Sequence, residues 1–394
     1  MTAPGIDLER VRRDTPGCRE RVFLDSAGSS LPPTPVLEAM VAHLHREARV
    51  GGYVAAAERA DDLSGLKVSL ARLVAADAAS IALCDSATRA WNDFFQAVPL
   101  AAGDRVLVTE VEYAGNAIAV LQRARAVGAS VDVVPSDDHG RIDLDALDRM
   151  LDERVRLVSL VHVPTNGGLV NPVREVADLA HEHGALVLLD ACQSVGQLAL
   201  DVVELHVDAL SATGRKWLRG PRGTGFLYVR PDLQIEPAEL DLHSAEWTAP
   251  DSYRIAGDAS RFEFWEADVA ARLGLGAAVD YLLELGVDEV ERAVRAGADR
   301  VRADLSDIPG VSVRDLGEQR CGIVSFTVDG FDPTEVRDAL AARDVVVTVS
   351  ARTSTLLDMS ARGLDAVVRA SPHYFCSDED LDVFVGAVRE IAGR

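Results

Sequence analysis

Lysine is almost missing from this chain of 394 residues. Of 40 basic side chains only Lys67 and Lys216 are lysines, and arginine carries the rest. Positive charge is short overall, with a formal net charge of −23 at pH 7. A nucleic-acid partner needs a basic footprint, so none is expected, and an anionic membrane surface is excluded on the same ground. Long apolar runs are lacking too. No stretch of 18 apolar residues marks a membrane span. The opening M-T-A-P-G-I-D-L-E-R has no apolar run of the kind a signal peptide requires. The five cysteines are odd in number, scattered and without a C-x-x-C, so reduced thiols in a cytoplasmic protein are expected. No G-x-G-x-x-G opens a helix after a strand, and no G-x-x-x-x-G-K-[ST] occurs. Neither His43 and His45 nor His181 and His183 form an H-E-x-x-H. A dinucleotide site, a P-loop and a metal site are therefore not expected.

What is present is apolar bulk in an alternating arrangement. At 48% hydrophobic residues the chain has enough for a sizeable core. Its length allows one very large domain or two ordinary ones. Strand-like apolar runs alternate with amphipathic helical stretches from Ser80 to Tyr228, the pattern of a doubly wound α/β sheet. Residues 1–20 read as a polar arm, residues 21–285 as a large α/β domain and residues 286–394 as a smaller α+β domain. The polar stretch 231–260 reads as irregular, and a long helix is expected from Arg261 through Leu285. A continuous strand is expected over 345–349.

Lys216 stands between a strand-like run, Val207 to Ala212, and a glycine-rich turn, Gly220 to Gly225. A lysine amine can lose its proton and form a Schiff base, which arginine cannot do. Upstream, the apolar run Ala185 to Leu189 ends in Asp190. A carboxylate at the carboxyl end of a buried parallel strand sits where open α/β sheets bind ligands. Pyridoxal phosphate (PLP) needs this pair: a lysine to hold the aldehyde, and a carboxylate to keep the pyridine nitrogen protonated so that the ring draws in electrons. Residues 215–222, R-K-W-L-R-G-P-R, form a local basic island in an acidic protein. Arg369 lies in the apolar strand pattern V-V-R-A-S-P and needs an anionic partner there.

The motifs D-A-C-Q-S from Asp190, T-G-R-K-W from Thr213 and G-P-R-G-T-G from Gly220 occur together in an order that resembles the class V aminotransferase family of fold-type I PLP enzymes. That group includes cysteine desulfurases, isopenicillin-type epimerases and the C–S lyases of ergothioneine synthesis. The resemblance spans nearly the whole chain. It implies a large, mostly parallel PLP-binding domain, a small α+β domain, and a homodimer with active sites at the interface. It implies that Lys216 anchors the cofactor and moves the substrate proton, with Asp190 on the ring nitrogen. Ser86, Ala87 and Thr88 match the family's phosphate-binding turn, and Thr213 matches a hydroxyl on the same phosphate. Tyr113 matches the aromatic residue stacked on the ring, where relatives often have histidine; a tyrosine offers the same face but is a poor acid at neutral pH. Thr165 or Asn166, and Gln193, match the contacts to the ring oxygen. Arg215 replaces a histidine common in desulfurases, and Glu266 replaces a phosphate-binding threonine. Arg369 matches the arginine that grips the substrate carboxylate. Ala27 and Gly28 match the mouth of the site. Tyr53 lies in a region that reaches it, and Arg352 is a candidate for a second anionic group.

The family's chemistry runs through a Schiff base to the amino acid (an external aldimine) and a Cα carbanion. Desulfurases carry a persulfide-forming cysteine in the loop matched by residues 350–363, and this chain has none there. The expected reaction is therefore β-elimination from an S-substituted cysteine, releasing pyruvate and ammonia, and not persulfide formation. Epimerisation is an alternative. So is transamination or decarboxylation-coupled deamination in natural-product biosynthesis. A PLP-fold protein without catalysis is the reading from another class, and the joint presence of Asp190, Gln193, Thr213, Lys216 and Arg369 argues against it.

Overall fold

The computed structural model describes residues 5–394; the first four residues of the expected arm lie outside the described residues. In chain order the strands are β1 (Val22–Phe23), β2 (Ile81–Cys84), β3 (Arg105–Thr109), β4 (Ser130–Val134), β5 (Val155–Val161), β6 (Leu186–Asp190), β7 (Ala209–Thr213) and β8 (Gly225–Val229). They continue with β9 (Ala245–Ala249), β10 (Ser252–Ile255), β11 (Val311–Val313), β12 (Val324–Val328), β13 (Val345–Val346), β14 (Thr348–Ala351) and β15 (Ala366–Ala370).

Seven of these form the main sheet, in the order β2-β8-β7-β6-β5-β3-β4. Strands β4, β3, β5, β6 and β7 run parallel, and β8 runs antiparallel to both neighbours. The central strands are runs such as L-V-L-L-D and V-R-L-V-S-L-V, buried almost throughout. Sequences of this kind suit a sheet covered by helices on both faces. Because the strands are parallel, Thr109, Val161, Asp190 and Thr213 all end at one edge of the sheet. Ligands bind open α/β sheets at that edge.

The second sheet, β11-β12-β15-β14, is antiparallel. It packs a core of its own in which Phe326 meets Phe384 edge to face at 6.0 Å. The helix Val287–Ser306 ties the two halves together. Its Val290 and Val294 belong to the main core, while Ala298, Val301 and Leu305 belong to the second.

Four features depart from the sequence reading. Residues 8–19 are folded onto the body, with Val11 and Cys18 buried and Arg12 paired with Asp380. The segment thought irregular contains the hairpin of β9 and β10. The expected strand over 345–349 is divided, because Val345 and Val346 pair with β1 while Thr348 to Ala351 pair with β15. The long helix starts at Val269, capped by Asp268, and not at Arg261. Glu263 explains that delay. It is turned inward, 2% exposed, where its carboxylate meets Lys67 Nζ at 2.6 Å and accepts from the Leu83 backbone N–H at 3.0 Å. His243 approaches its other oxygen at 3.2 Å.

Lys67 thus neutralises a buried charge beside β2. Replacing it by methionine leaves that carboxylate without its close cation, and the expected loss of stability in urea unfolding is about 3 kcal/mol. A loss below about 1 kcal/mol would show that the pair is screened like a surface one.

Candidate active site

A cavity of about 190 Å³ opens at the carboxyl edge of the main sheet, and most of the singled-out residues line it: Ser86, Ala87, Thr88, Tyr113, Thr165, Asp190, Gln193, Thr213, Arg215 and Lys216.

Asp190, at the end of β6, is buried and held at both oxygens. Its Oδ1 accepts from the Cys192 backbone N–H at 3.0 Å, and its Oδ2 accepts from Asn116 Nδ2 at 2.8 Å. Lys216 lies in the turn from β7 to β8, and several bonds stiffen that turn. Gly220 N–H donates to the Gly214 carbonyl at 2.8 Å, and Ser30 N–H donates to the Arg215 carbonyl at 2.9 Å. Trp217 Nε1 donates to Gln193 Oε1 at 3.0 Å. Arg219, fully buried, donates to the Leu31 carbonyl, the Tyr374 hydroxyl and Thr15 Oγ1 at 2.8, 2.8 and 2.6 Å. Burial pushes the Lys216 amine below its ordinary pKa; Arg215 and Arg369 add to this, while Cys192 and Asp190 oppose it.

The turn at Ser86 to Thr88, where a phosphate is expected, is built as a helix start. Ser86 caps the helix Ala87–Ala97 by accepting from the Arg89 N–H at 3.1 Å. First-turn N–H groups and the helix dipole favour an anion there. β8 presses against the turn at Gly225, where a Cβ would stand 2.7 Å from the Ser86 carbonyl carbon and 2.8 Å from the Ala87 nitrogen. Arg215 and Arg222 add positive charge to the lining of the same cavity. Tyr113 precedes the helix Ala114–Val127, with its ring in space that a Cβ on Gly115 would contest at 2.8 Å.

Thr165 and Asn166 separate clearly. Thr165 lines the cavity, with Gln193 Nε2 3.5 Å from its Oγ1. Asn166 turns away and donates to Asp358 at 2.6 Å. Arg369 sits behind Thr165, not on the cavity wall. Its Nη1 donates to the Thr165 carbonyl and Oγ1, both at 2.9 Å, and its Nη2 meets Asp25 at 3.2 Å. Its Nε is buried without a partner. Ala27 is buried and accepts from Gln193 through its carbonyl at 3.0 Å, with Gly28 beside it.

Two expectations fail within one chain. Tyr53 is 81% exposed on the short helix Gly52–Ala57, away from the cavity. Arg352 pairs with Asp365 at 2.9 Å. Neither side chain faces a concave surface with Lys216, because nothing packs over Tyr53 and the loop carrying Arg352 turns it toward a nearer acid. Several lining residues escaped the sequence reading: Cys192, Arg222, Thr224, Val161 and Val163. Arg222 and Cys192 stand inside the quoted motifs, so position within the motif was the available signal. Val161 read only as strand, and Val163 only as the start of the loop that follows it.

The family model for aminotransferase class V matches residues 22–384, and the chain belongs to that family. A probable cysteine desulfurase of Methanothermobacter thermautotrophicus is 30% identical over 393 residues, covering 98% of each chain. The apo structure of a cysteine desulfurase from Thermococcus onnurineus superposes with a TM-score of 0.92 at 26% identity, covering all of both chains. A cystine C–S lyase in complex with its product cysteine persulfide superposes at 0.86, with 25% identity over 95% of this chain and 99% of that one. The fold is that of the fold-type I enzymes, and the cofactor is pyridoxal phosphate. The residues fit it: a lysine kept below its ordinary pKa, a carboxylate oriented by two donors, and a helix start flanked by arginines.

These relatives overturn the expected reaction. Elimination to pyruvate in place of persulfide formation rested on the missing loop cysteine, yet proteins named cysteine desulfurases match the chain from end to end. The missing cysteine removes one acceptor for the sulfur within residues 350–363, and it does not distinguish elimination from transfer to a thiol held elsewhere.

Gly225→Ala tests the phosphate turn. The added methyl must push β8 off Ser86, and PLP affinity is expected to fall about tenfold, read by fluorescence titration. Unchanged affinity would show that the close approach is incidental to the turn.

Proposed function

We propose that the protein is a cysteine desulfurase, using pyridoxal phosphate to take sulfur from cysteine and leave alanine. The observation that carries this reading is the gathering of Lys216, Asp190 and Thr165 on one cavity with Arg369 directly behind, in a chain that desulfurases match throughout.

Bound PLP supplies the electron sink for charge developing at the substrate Cα. Ser86, Ala87, Thr88, Thr213, Arg215 and Arg222 would hold its phosphate. Tyr113 would cover the face of the ring, Thr165 and Gln193 would meet the ring oxygen, and Asp190 would hold the proton on the ring nitrogen. Lys216 would anchor the cofactor and would take the Cα proton, a task suited to an amine that burial keeps from holding its proton tightly. Arg369, behind Thr165, would take the substrate carboxylate by releasing Asp25 and turning toward the cavity. Burial pushes the Asp25 carboxyl up in spite of Arg369.

The sulfur needs an acceptor thiol. Burial holds every thiol of this chain above its ordinary value: Cys18 and Cys321 are pushed up to about 11, Cys376 to about 12, and Cys84 and Cys192 well up. A thiol, unlike a thiolate, is a poor nucleophile. Cys192 alone lines the cavity, and the charge of Asp190 beside it raises it further. The acceptor is therefore taken to come from outside. Cysteine and R–SH give alanine and R–S–SH, which balances without an added oxidant.

Self-association is part of the reading. Tyr53, Leu242, Trp247 and Trp265 are exposed apolar side chains, Trp247 at 80%, and they support a homodimer in which a partner surface brings Tyr53 to a second site. Sedimentation velocity is expected to give a dimer, and a monomer at micromolar concentration would remove that role for Tyr53. No helix among the described residues is long and apolar enough to cross a membrane, and together with five free cysteines this supports a cytoplasmic setting.

With L-cysteine and an added thiol, alanine and persulfide are expected in equal amounts, read by amino-acid analysis and by cyanolysis. Pyruvate and ammonia without alanine would sink the desulfurase reading while leaving the cofactor assignment intact.

A further inference from the structure

Beneath the cavity floor lies a second buried carboxyl. Glu112 follows β3 and is 3% exposed. Its Oε2 accepts from Ser159 Oγ on β5 at 2.8 Å. Its Oε1 accepts from Asn116 Nδ2 at 3.0 Å and from the Tyr113 backbone N–H at 2.9 Å. Asn116 is itself buried, and the same Nδ2 donates to Asp190 Oδ2 at 2.8 Å. One carboxamide thus spends both of its hydrogens between two carboxyl groups. An amide nitrogen has only those two to give, so the orientation of Asn116 is fully determined by its two acceptors.

The geometry has a direct consequence for Asp190. Its Oδ1 is taken by the Cys192 N–H and its Oδ2 by Asn116. The carboxylate is held at both oxygens, and Asp190 lines the cavity. Glu112 makes this hold by turning Asn116 toward Asp190, and through the Tyr113 N–H it also fixes the residue whose ring lines the cavity. Burial pushes the Glu112 carboxyl up to about 7, with Asp190 adding to the shift and Ser159, Asn116 and the Tyr113 N–H opposing it. All three neighbours donate to Glu112, so the clamp is built on its acceptor oxygens.

We propose that Glu112 and Asn116 are positioning residues, a buried clamp that joins β3, β5 and β6 and aims Asp190 at the ring nitrogen of the cofactor. The proposal needs only PLP and is independent of which reaction follows.

The test uses holoenzyme loaded with PLP labelled with ¹⁵N in the ring. Asn116→Ala should move the ring-nitrogen resonance toward the unprotonated position and weaken PLP binding about tenfold. Glu112→Ala should do the same to a lesser degree. Glu112→Gln, which keeps an acceptor for Asn116 and for the Tyr113 N–H, should restore the wild-type resonance. A purely structural role would lower thermal stability without moving the nitrogen resonance. An unchanged resonance in Asn116→Ala at unchanged thermal stability overturns the proposal. If Asn116→Ala does not fold, the Glu112 pair decides: identical resonances in Glu112→Ala, Glu112→Gln and wild type overturn it equally.

Discussion

A lysine can anchor a cofactor only if its backbone stays where it is, and in this protein Arg219 enforces that. Its guanidinium is buried three residues beyond Lys216, and it ties the turn to Leu31 and Thr15 on one side and Tyr374 on the other. Its ring neighbours Tyr374 and Phe375 lie 5.1 and 4.8 Å from the guanidinium carbon. Arg219 also holds a positive φ of 61°, a conformation that costs a non-glycine residue of order 1–3 kcal/mol unless its surroundings demand it. Hydrogen bonds from a buried charge to three separate segments supply that demand. The segments at Thr15, at Leu31 and at Tyr374 therefore converge on one loop.

The parallel sheet provides the other half of the arrangement. It delivers Asp190, Thr213 and Val161 to one edge, but buried polar groups there are costly unless satisfied. The structure answers with chains of donors in which each side chain fixes the next. Trp217 holds Gln193, Gln193 reaches Ala27 and Thr165, and Thr165 accepts from Arg369. Networks of this kind are rigid when complete.

Much of this was legible in the sequence, for identifiable reasons. Lys216 stood out because lysine is so rare, and Asp190 because it closes an unbroken apolar run. Ser86 to Thr88 followed from a strand, a small polar turn and a helix. These are local patterns whose function lies within a few residues of themselves. What was not legible depends on partners distant in sequence. Asn166 looked like a cofactor contact until Asp358, 192 residues away, was seen to take its amide. Glu263 broke the expected long helix because Lys67 draws it inward. Val345 and Val346 left their strand to pair with β1. The reaction was misread for a different reason. A missing cysteine in one loop was given weight over a likeness to desulfurases that runs the length of the chain.

The scarcity of lysine also makes the protein an unusually clean target for amine chemistry. Lys67 is committed to Glu263, and Lys216 is the amine that burial keeps from holding its proton tightly. A reductant added to the PLP adduct would leave one alkylated side chain, and a protease that cuts after lysine would then find a single site, Lys67, in place of two. The cofactor's attachment point can thus be read from the number of fragments on a gel.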